Sequence, residues 1–514
     1  MNVTTDTLNG FDMIAAISQK AINSQFEDLF WADTFPKSWT LGDDSSACMM
    51  TANLAPPTVT LATAGKPNTV ILFINMPSGT FTYWVGHGPS STQSQVDFQN
   101  WVYAFDVNVD FLQIEQTAIA NAKGIPDVVK DTLYSFDSSM FSIQSLFMDF
   151  ENSNIASYDP ELSHLPLPDG SSLSNDPELM AEFQMMLQDY FISLEGTDNP
   201  YILGYSVNAK NPSQDTANFP IPTFVPTGAT FSTLVDNSQP NGALNALNFL
   251  VMTDNHPMPQ DVNAVNFKSN WIKNTNCDGT FVIAEKIFWN QWLLPMIEAA
   301  LTPVTPTDYN CLQAATTPTS SGWQLNREYT KAWIDKDAMM HFDLHNSLDL
   351  KFDATVVPTN QIDTTTQNNQ VLITINGNCV AQYNSYYEAV GIKTEMDVTS
   401  SVTDWTVTIT LTTGNNGIID MKVAEDIPTA DVETGGNLLG GIGEWLSQDA
   451  QDRLNNYGQE LADQFDANIK DISDLLSNVN NQFVSPAGDV FFFSDISVDD
   501  NANLLSSIRY KEEN

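Results

Sequence analysis

Basic residues are scarce in this 514-residue chain: 19 Lys and Arg stand against 63 Asp and Glu, a formal net charge of −44. Charged residues make up 16% of the chain, against about 25% in an average domain. The chain is therefore short of bases rather than crowded with acids. Even with every base paired, 44 carboxylates lack a basic partner. Such a field repels phosphate backbones, which excludes nucleic acid as a partner, and it opposes Lys/Arg docking on anionic membranes. Cysteine is nearly as rare. Cys48, Cys277, Cys311 and Cys379 form no CxxC pair and are too dispersed for a disulfide scaffold or a structural zinc site. No apolar run approaches the ~18 residues of a membrane-spanning helix. The start, Met1-Asn2-Val3-Thr4-Thr5-Asp6, lacks the basic and apolar regions of a secretory signal. The expected location is cytoplasmic as synthesised, with any release independent of a signal peptide. A single glycosylation sequon, Asn2-Val3-Thr4, fits a bacterial or cytosolic origin.

Catalytic signatures are missing as well. There is no GxSxG elbow, no GxxxxGK[ST] phosphate loop and no HEXXH pair. Gly435, Gly436, Gly440, Gly441 and Gly443 fail dinucleotide spacing, and Glu444 would repel an anion there, so this run reads as a connector. His341 and His345 flank Asp343 without a third ligand. The acidic loops Asp499-Asp500-Asn501 and Asp236 to Asn241 do not fit a calcium loop. With 63 carboxylates, no hydrolytic pair stands out. The expectation is a non-enzyme with no cofactor, no metal and no catalytic residue.

What the chain has is apolar material: 42% hydrophobic residues, including 29 Phe, 17 Met and 11 Trp. That suffices for a large core, and Met with broad aromatics also suits an adaptable lipid pocket. Apolar spacing predicts a helix from Asn9 to Phe30, capped by Asn9 with Asp12 three residues on. Thr58–Leu61, Val70–Ile74, Thr80–Trp84 and Trp101–Leu112 read as strands. Ile125–Phe136 reads as a short helix. Asp176 and Pro177 mark the start of another, with Met180, Phe183, Met186, Leu187, Tyr190, Phe191 and Leu194 on its apolar face and Gly196 past its end. Residues 153–175 read as a loop. Glu285–Leu301 is helical text that Pro295 should kink or shorten. From His341 to Lys422 strands return: Asp353–Val357, Val371–Ile375, and Trp405–Leu411, where Thr406, Thr408 and Thr410 alternate with Trp405, Val407, Ile409 and Leu411. Five prolines between Asn211 and Asn241 mark a linker or crossover. The division expected is one elongated unit, 1–514, with lobes 1–210 and 242–514 joined by a Pro-rich linker, 211–241.

The longest pattern lies near the end. Ala450, Leu454, Tyr457, Leu461, Phe465, Ile469, Ile472, Leu476, Val479 and Phe483 make nine intervals over 33 residues, a mean step of about 3.67. That is the period of a nearly straight helix. From Glu444 to Phe483 it would measure roughly 60 Å at ~1.5 Å per residue. One apolar stripe of that length needs an equally long partner surface, and a curved sheet of amphipathic strands supplies it most economically. Beyond it, 483–493 reads as a turn followed by an aromatic strand.

Several stretches, taken in order, resemble one family: Phe11–Ser18, Ser78-Gly79-Thr80-Phe81, Phe141–Phe150, Pro200–Tyr205, Leu247–Thr253 with Asn270-Trp271 and Asp278-Gly279, and the tail from Pro486 to Tyr510. They are similar to the OrfX and forty-seven-kilodalton proteins of clostridial neurotoxin gene clusters, over almost the whole chain. The resemblance implies an α+β, elongated, tubular lipid-binding (TULIP-like) fold, a highly curved antiparallel sheet wrapped around a long C-terminal helix. It implies a non-enzymatic toxin accessory that sequesters the tail of a lipid or other apolar small molecule, with toxin-cluster proteins as partners. It supplies no catalytic residues. The scarcity of Lys and Arg departs from headgroup binding through bases. The expected lining, from the helical stripe, is Leu461, Phe465, Ile469, Ile472 and Leu476. The alternatives are a ligand-free scaffold for a toxin complex and a hydrolase.

Overall fold

The computed structural model describes residues 6–43, 48–61, 68–85, 91–134, 140–150, 158–194, 199–210, 226–259, 269–273, 275–300, 306–336, 343–364, 369–389, 392–413, 419–426, 431–436, 483–484 and 491–510, with single residues between them. The described residues fall into two compact units. The first draws on 7–282, 477–493 and 507–514, the second on 1–6, 283–476 and 494–506.

The first unit holds strands β1 (Met13–Ser18), β2 (Ser38–Leu41), β3 (Cys48–Asn53), β4 (Thr58–Thr60), β5 (Thr69–Val85), β6 (Thr92–Ile114), β7 (Phe141–Asp149), β8 (Ile202–Ala209), β9 (Pro226–Leu234), β10 (Ala246–Thr253) and β11 (Gly279–Ile283). Its helices are α1 (Gln19–Trp31), α2 (Gln116–Ile119), α3 (Asp127–Tyr134) and α4 (Pro177–Ile192). The second unit holds β12 (Asn310–Pro318), β13 (Trp323–Lys336), β14 (Asp343–Ile362), β15 (Asn369–Ala389), β16 (Ile392–Thr413), β17 (Ile419–Asp426) and β18 (Asp431–Gly436), with helical residues 286–300 before them. The chain closes with β19 (Phe483–Val484), β20 (Phe491–Val498) and β21 (Leu504–Tyr510). The sheet orders are β19-β8-β7-β6-β5-β3-β2 with β4 on β5, β20-β21-β11-β1-β10-β9, and β12-β13-β14-β15-β16-β17 with β18 on β16.

The expected first helix is corrected at its start. Met13–Ser18 is a strand between β10 and β11, and all six of its residues are buried. A continuous apolar run on a central strand satisfies both faces, which a one-sided helix would not. Asn9 lies in a left-handed turn at φ 53° rather than at a cap. Ser18 is the N-cap of α1, its Oγ accepting from the Ala21 N–H at 3.1 Å. Asp12, expected in a capping box, is fully buried. Its carboxylate accepts from Thr253 N–H (2.8 Å) and Thr253 Oγ1 (3.1 Å) and lies 2.8 Å from His256 Nδ1. This tie joins the start of β1 to the turn after β10.

α4 begins as its sequence predicts. Asp176 caps the Leu179 N–H at 3.1 Å and Pro177 opens the first turn. Its Phe183 ring meets Phe81, Trp101 and Tyr103 of the sheet at 5.5–5.8 Å. These rings are among the largest fully buried side chains of the unit. Within the stretch read as a linker, Pro226–Leu234 is a strand at the edge of its sheet, where a proline without an N–H is tolerated. In the second unit the helical text around Pro295 is present. Residues 286–293 wind as a π-helix and 294–300 as α5, Leu294–Ala300. Pro295 has no N–H, and in a regular α-helix its ring would crowd the Gln291 carbonyl, so the wide turn falls where that clash would. The rod expected over 444–483 lies outside the described residues except for Phe483, which pairs with Ser206 in β19 rather than continuing a helix.

At the edge of the second unit's sheet, β12 is mostly exposed and carries no charged side chain, with Leu312 64% exposed. A register irregularity interrupts its pairing between Cys311 and Gln313. Among the described residues, no helix is long and apolar enough to cross a membrane.

Two outcomes follow from these contacts. Replacing Asp12 with alanine strands the Thr253 donors and should lower stability by about 2–3 kcal/mol in a urea titration; an unchanged midpoint would remove the tie. Burial pushes the Cys48 thiol up to about 11 and Cys379 up to about 12, while Cys277 is buried and Cys311 exposed. Ellman's reagent at about pH 8 should therefore find one fast thiol in the native chain and four after denaturation.

Candidate functional site: the apolar sheet face of the second unit

The sheet β13–β16 is built from long strands with strict alternation. β14, β15 and β16 run 20, 21 and 22 residues, several times the usual ~5–6. Their register stacks apolar residues in rows across the strands. Trp323, Val356, Ile375 and Val407 form one row, and Leu325, Ala354, Gly377 and Trp405 the next. Beyond them lie Pro358, Ile373 and Ile409, then Val371 and Leu411. Every one of these positions is buried. The other face is mostly polar, with hydroxyls, amides and the Lys351–Glu328 pair. Thr355 Oγ1 donates to the Asn376 carbonyl at 3.3 Å and Thr406 Oγ1 to Asn376 Oδ1 at 2.8 Å. The alternation expected for 405–411 is thus observed.

Two features hold the face in register. Gly377 lies under the Trp405 ring: a Cβ there would come within 2.3 Å of the indole and 2.6 Å of the Asp353 carbonyl. Next to it a bulge shifts the β15–β16 pairing between Gly377 and Cys379, with Asp404 at φ 58° and its N–H bonded to Asn378 Oδ1 at 3.0 Å. Without the extra residue, the strand beyond would present its opposite side to the face.

The same face changes character along its length. Past Phe352 and Cys379 it reaches Leu348 beside Tyr383, then Asn346 beside Ser385. Asn346 and Ser385 are buried, and Asn346 Oδ1 accepts from the Tyr383 hydroxyl at 2.6 Å and from Ser385 Oγ at 2.9 Å. On β13, Lys331 and Trp333 occupy the matching positions. The Trp333 and Tyr383 rings lie 5.9 Å apart, and the Lys331 ammonium sits 3.2 Å from Asp308 and 5.9 Å from the Trp333 ring. One surface therefore runs from aliphatic rows to an amide, hydroxyl, indole and ammonium end. That is the sequence of environments an amphiphile requires.

Among the described residues Arg327 is the one cation set into the apolar part, opposite Phe352. It is 5% exposed, ion-paired with Glu298 at 2.7 Å, and donates to the Ala315 and Asn326 carbonyls and Thr316 Oγ1 at 2.8–3.1 Å. Its donors are engaged within the protein, so its role is structural. Beside it, a pocket of about 270 Å³ is lined by Glu285, Asn290, Leu294, Pro295, Glu298, Thr316, Pro318 and Trp323. Burial raises the Glu285 carboxyl above its ordinary value, against the opposing hydrogen bond from Asn290. Glu298 pairs with Arg327 and accepts from the Thr316 hydroxyl.

The lining expected from the helical stripe, Leu461, Phe465, Ile469, Ile472 and Leu476, lies outside the described residues. Of the histidine pair, His341 is likewise outside, and the His345 ring stacks on Tyr386 at 4.9 Å. Among the described residues no three metal-ligating side chains converge. Sequence reading missed β12, most of β13 and the polar end at Asn346, Tyr383 and Ser385. The alternation of Leu325, Arg327, Tyr329, Lys331 and Trp333 was the available signal.

No protein-family model matches the chain, and no curated protein matches it in sequence. Among solved structures it is similar to P47 of Clostridium botulinum E1, at 14% identity and a TM-score of 0.49, covering 98% of this chain and 99% of that one. P47 from Clostridium botulinum A2 aligns at 14% identity and a TM-score of 0.47, over 98% of both chains. A lipopolysaccharide binding protein aligns at 11% identity and a TM-score of 0.29, over 98% of this chain and 99% of that one. The first two are the forty-seven-kilodalton proteins to which the sequence resemblance points.

The Gly377 contact is open to direct measurement. Gly377→Ala should destabilise by about 2–4 kcal/mol in chemical denaturation. Adding Trp405→Leu should recover part of that loss, because the ring is one of the two obstacles. Strict additivity of the two changes would mean that they do not share a site.

Proposed function

We propose that this chain is a non-enzymatic lipid-binding protein that holds an apolar tail against the long sheet of its second unit, as an accessory to a toxin complex. The observation that carries this reading is the gradient on one sheet face, from Val356, Ile375 and Ile409 to Asn346, Tyr383 and Ser385. A tail would lie along the aliphatic rows, where each buried methylene contributes about 0.8 kcal/mol. A polar headgroup would sit toward the amide and hydroxyl end. Leu461, Phe465, Ile469, Ile472 and Leu476 are the proposed opposing wall, since their stripe has the length and period to match such strands. The toxin-accessory part rests on the ordered sequence resemblance to the OrfX and forty-seven-kilodalton family.

Native mass spectrometry of the purified chain tests the reading. A retained lipid, or uptake of an added fatty acid or phospholipid at a fixed stoichiometry, is the expected result. Ile409→Asn should lower that stoichiometry, with circular dichroism confirming the fold, and Thr408→Asn on the opposite face should leave it unchanged. Absence of any bound lipid would favour a ligand-free scaffold.

A further inference from the structure

The outer end of the β5–β6 hairpin combines exposed apolar side chains with a long stretch of sequence poor in charge. Pairing between the two strands continues through Tyr83 with Ser94 and Trp84 with Gln93 to Val85 with Thr92. The neighbouring β3 stops opposite Tyr83, at Cys48, and β7 pairs with β6 only from Asn108 to Ile114. Among the described residues the end is thus a two-stranded ribbon. Trp84 is 43% exposed and Val85 50%. Consecutive strand residues point to opposite sides, so both sides of the ribbon present apolar surface to water.

Charged residues are scarce along the sequence that forms it, with Asp97 at its inner end accepting from Gln95 Nε2 at 3.4 Å. Between Asp44 and Asp97 the only residue among Asp, Glu, Lys and Arg is Lys66, and its ammonium is bonded to Asp106. The ribbon's other described side chains, Thr82, Tyr83, Thr92, Gln93, Ser94 and Gln95, carry hydroxyls and amides. In a chain of net charge −44 the described end of this ribbon carries an indole and no charged side chain. Indole and neutral hydrogen-bonding groups are the residue types that settle at a bilayer interface. The lack of bases suits a zwitterionic surface and disfavours an anionic one, which the rest of the chain repels. A protein partner for so acidic a chain would draw on charge complementarity, and the ribbon offers none.

We propose that the β5–β6 ribbon is a docking element for a zwitterionic lipid bilayer, with Trp84 and Val85 entering the interface. This goes beyond the tail-binding reading and does not depend on it, because a surface contact needs no internal ligand.

Flotation of the full chain with phosphatidylcholine vesicles, at roughly 0.15 M salt, tests the proposal. The chain should float with the vesicles, and Trp84→Ser/Val85→Ser should cut the bound fraction about tenfold. The single change Trp84→Gln should weaken binding in the same direction. Trp31→Ser is the control: Trp31 is 66% exposed but sits among charged groups, with the Lys37 ammonium 4.8 Å from its ring. It should float like the parent. Replacing part of the phosphatidylcholine with phosphatidylserine should reduce binding. A parent chain that fails to float, a double variant that floats unchanged, or an equal loss in Trp31→Ser overturns the proposal. Lipid retention in native mass spectrometry reads the other site, so the two readings can fail separately.

Discussion

The indole of Trp405 lying across Gly377 is the contact on which the second unit's sheet depends. Side chains on a strand alternate with period two, so a slip of one residue between β15 and β16 would turn the aliphatic rows outward and the threonines inward. The missing Cβ at Gly377 admits the ring, and the bulge at Asp404 takes up the residue that would otherwise break the alternation. A small local irregularity thereby secures a large regular surface. The gradient from Ile375 to Ser385 exists only because both ends of the face are held to one register.

Charge is managed by the same economy of means. Bases are few, and several of those described serve surface pairs such as Lys37–Asp33, Lys130–Asp127 and Lys351–Glu328. Exposed pairs of this kind contribute about 0–1 kcal/mol each. Arg327 differs: its guanidinium is enclosed, and four acceptors hold it on the apolar face. Removing one member of such a group leaves the other charge uncompensated. The excess carboxylates keep the surface strongly negative, and the stretch 45–96, where Lys66 is the one charged residue, carries none of them.

Much of this was legible in the residues. Alternation marked Trp405–Leu411 as a one-faced strand, and Asp176-Pro177 marked the start of α4, because those signals are local. Met13–Ser18 was misread because Phe11, Ile14 and Ile17 fall at helical spacing by coincidence, while burial on both sides comes from strands more than 200 residues away in sequence. Asp12 was assigned to a cap for the same reason: its partners Thr253 and His256 are brought to it by tertiary structure alone. The cluster at Asn346, Tyr383 and Ser385 depends on strand register, which no single segment encodes.

The edge strand β12 carries a consequence for handling the protein. It is uncharged and outward-facing, and the register irregularity beside Cys311 and Pro318 at its end interrupt the edge onto which a neighbouring molecule could pair. The same kink sets an accessible sulfhydryl on the rim. Under oxidising storage that sulfhydryl can couple two molecules covalently through the very strand whose shape discourages their association, so reductant rather than dilution is the safeguard against dimeric material.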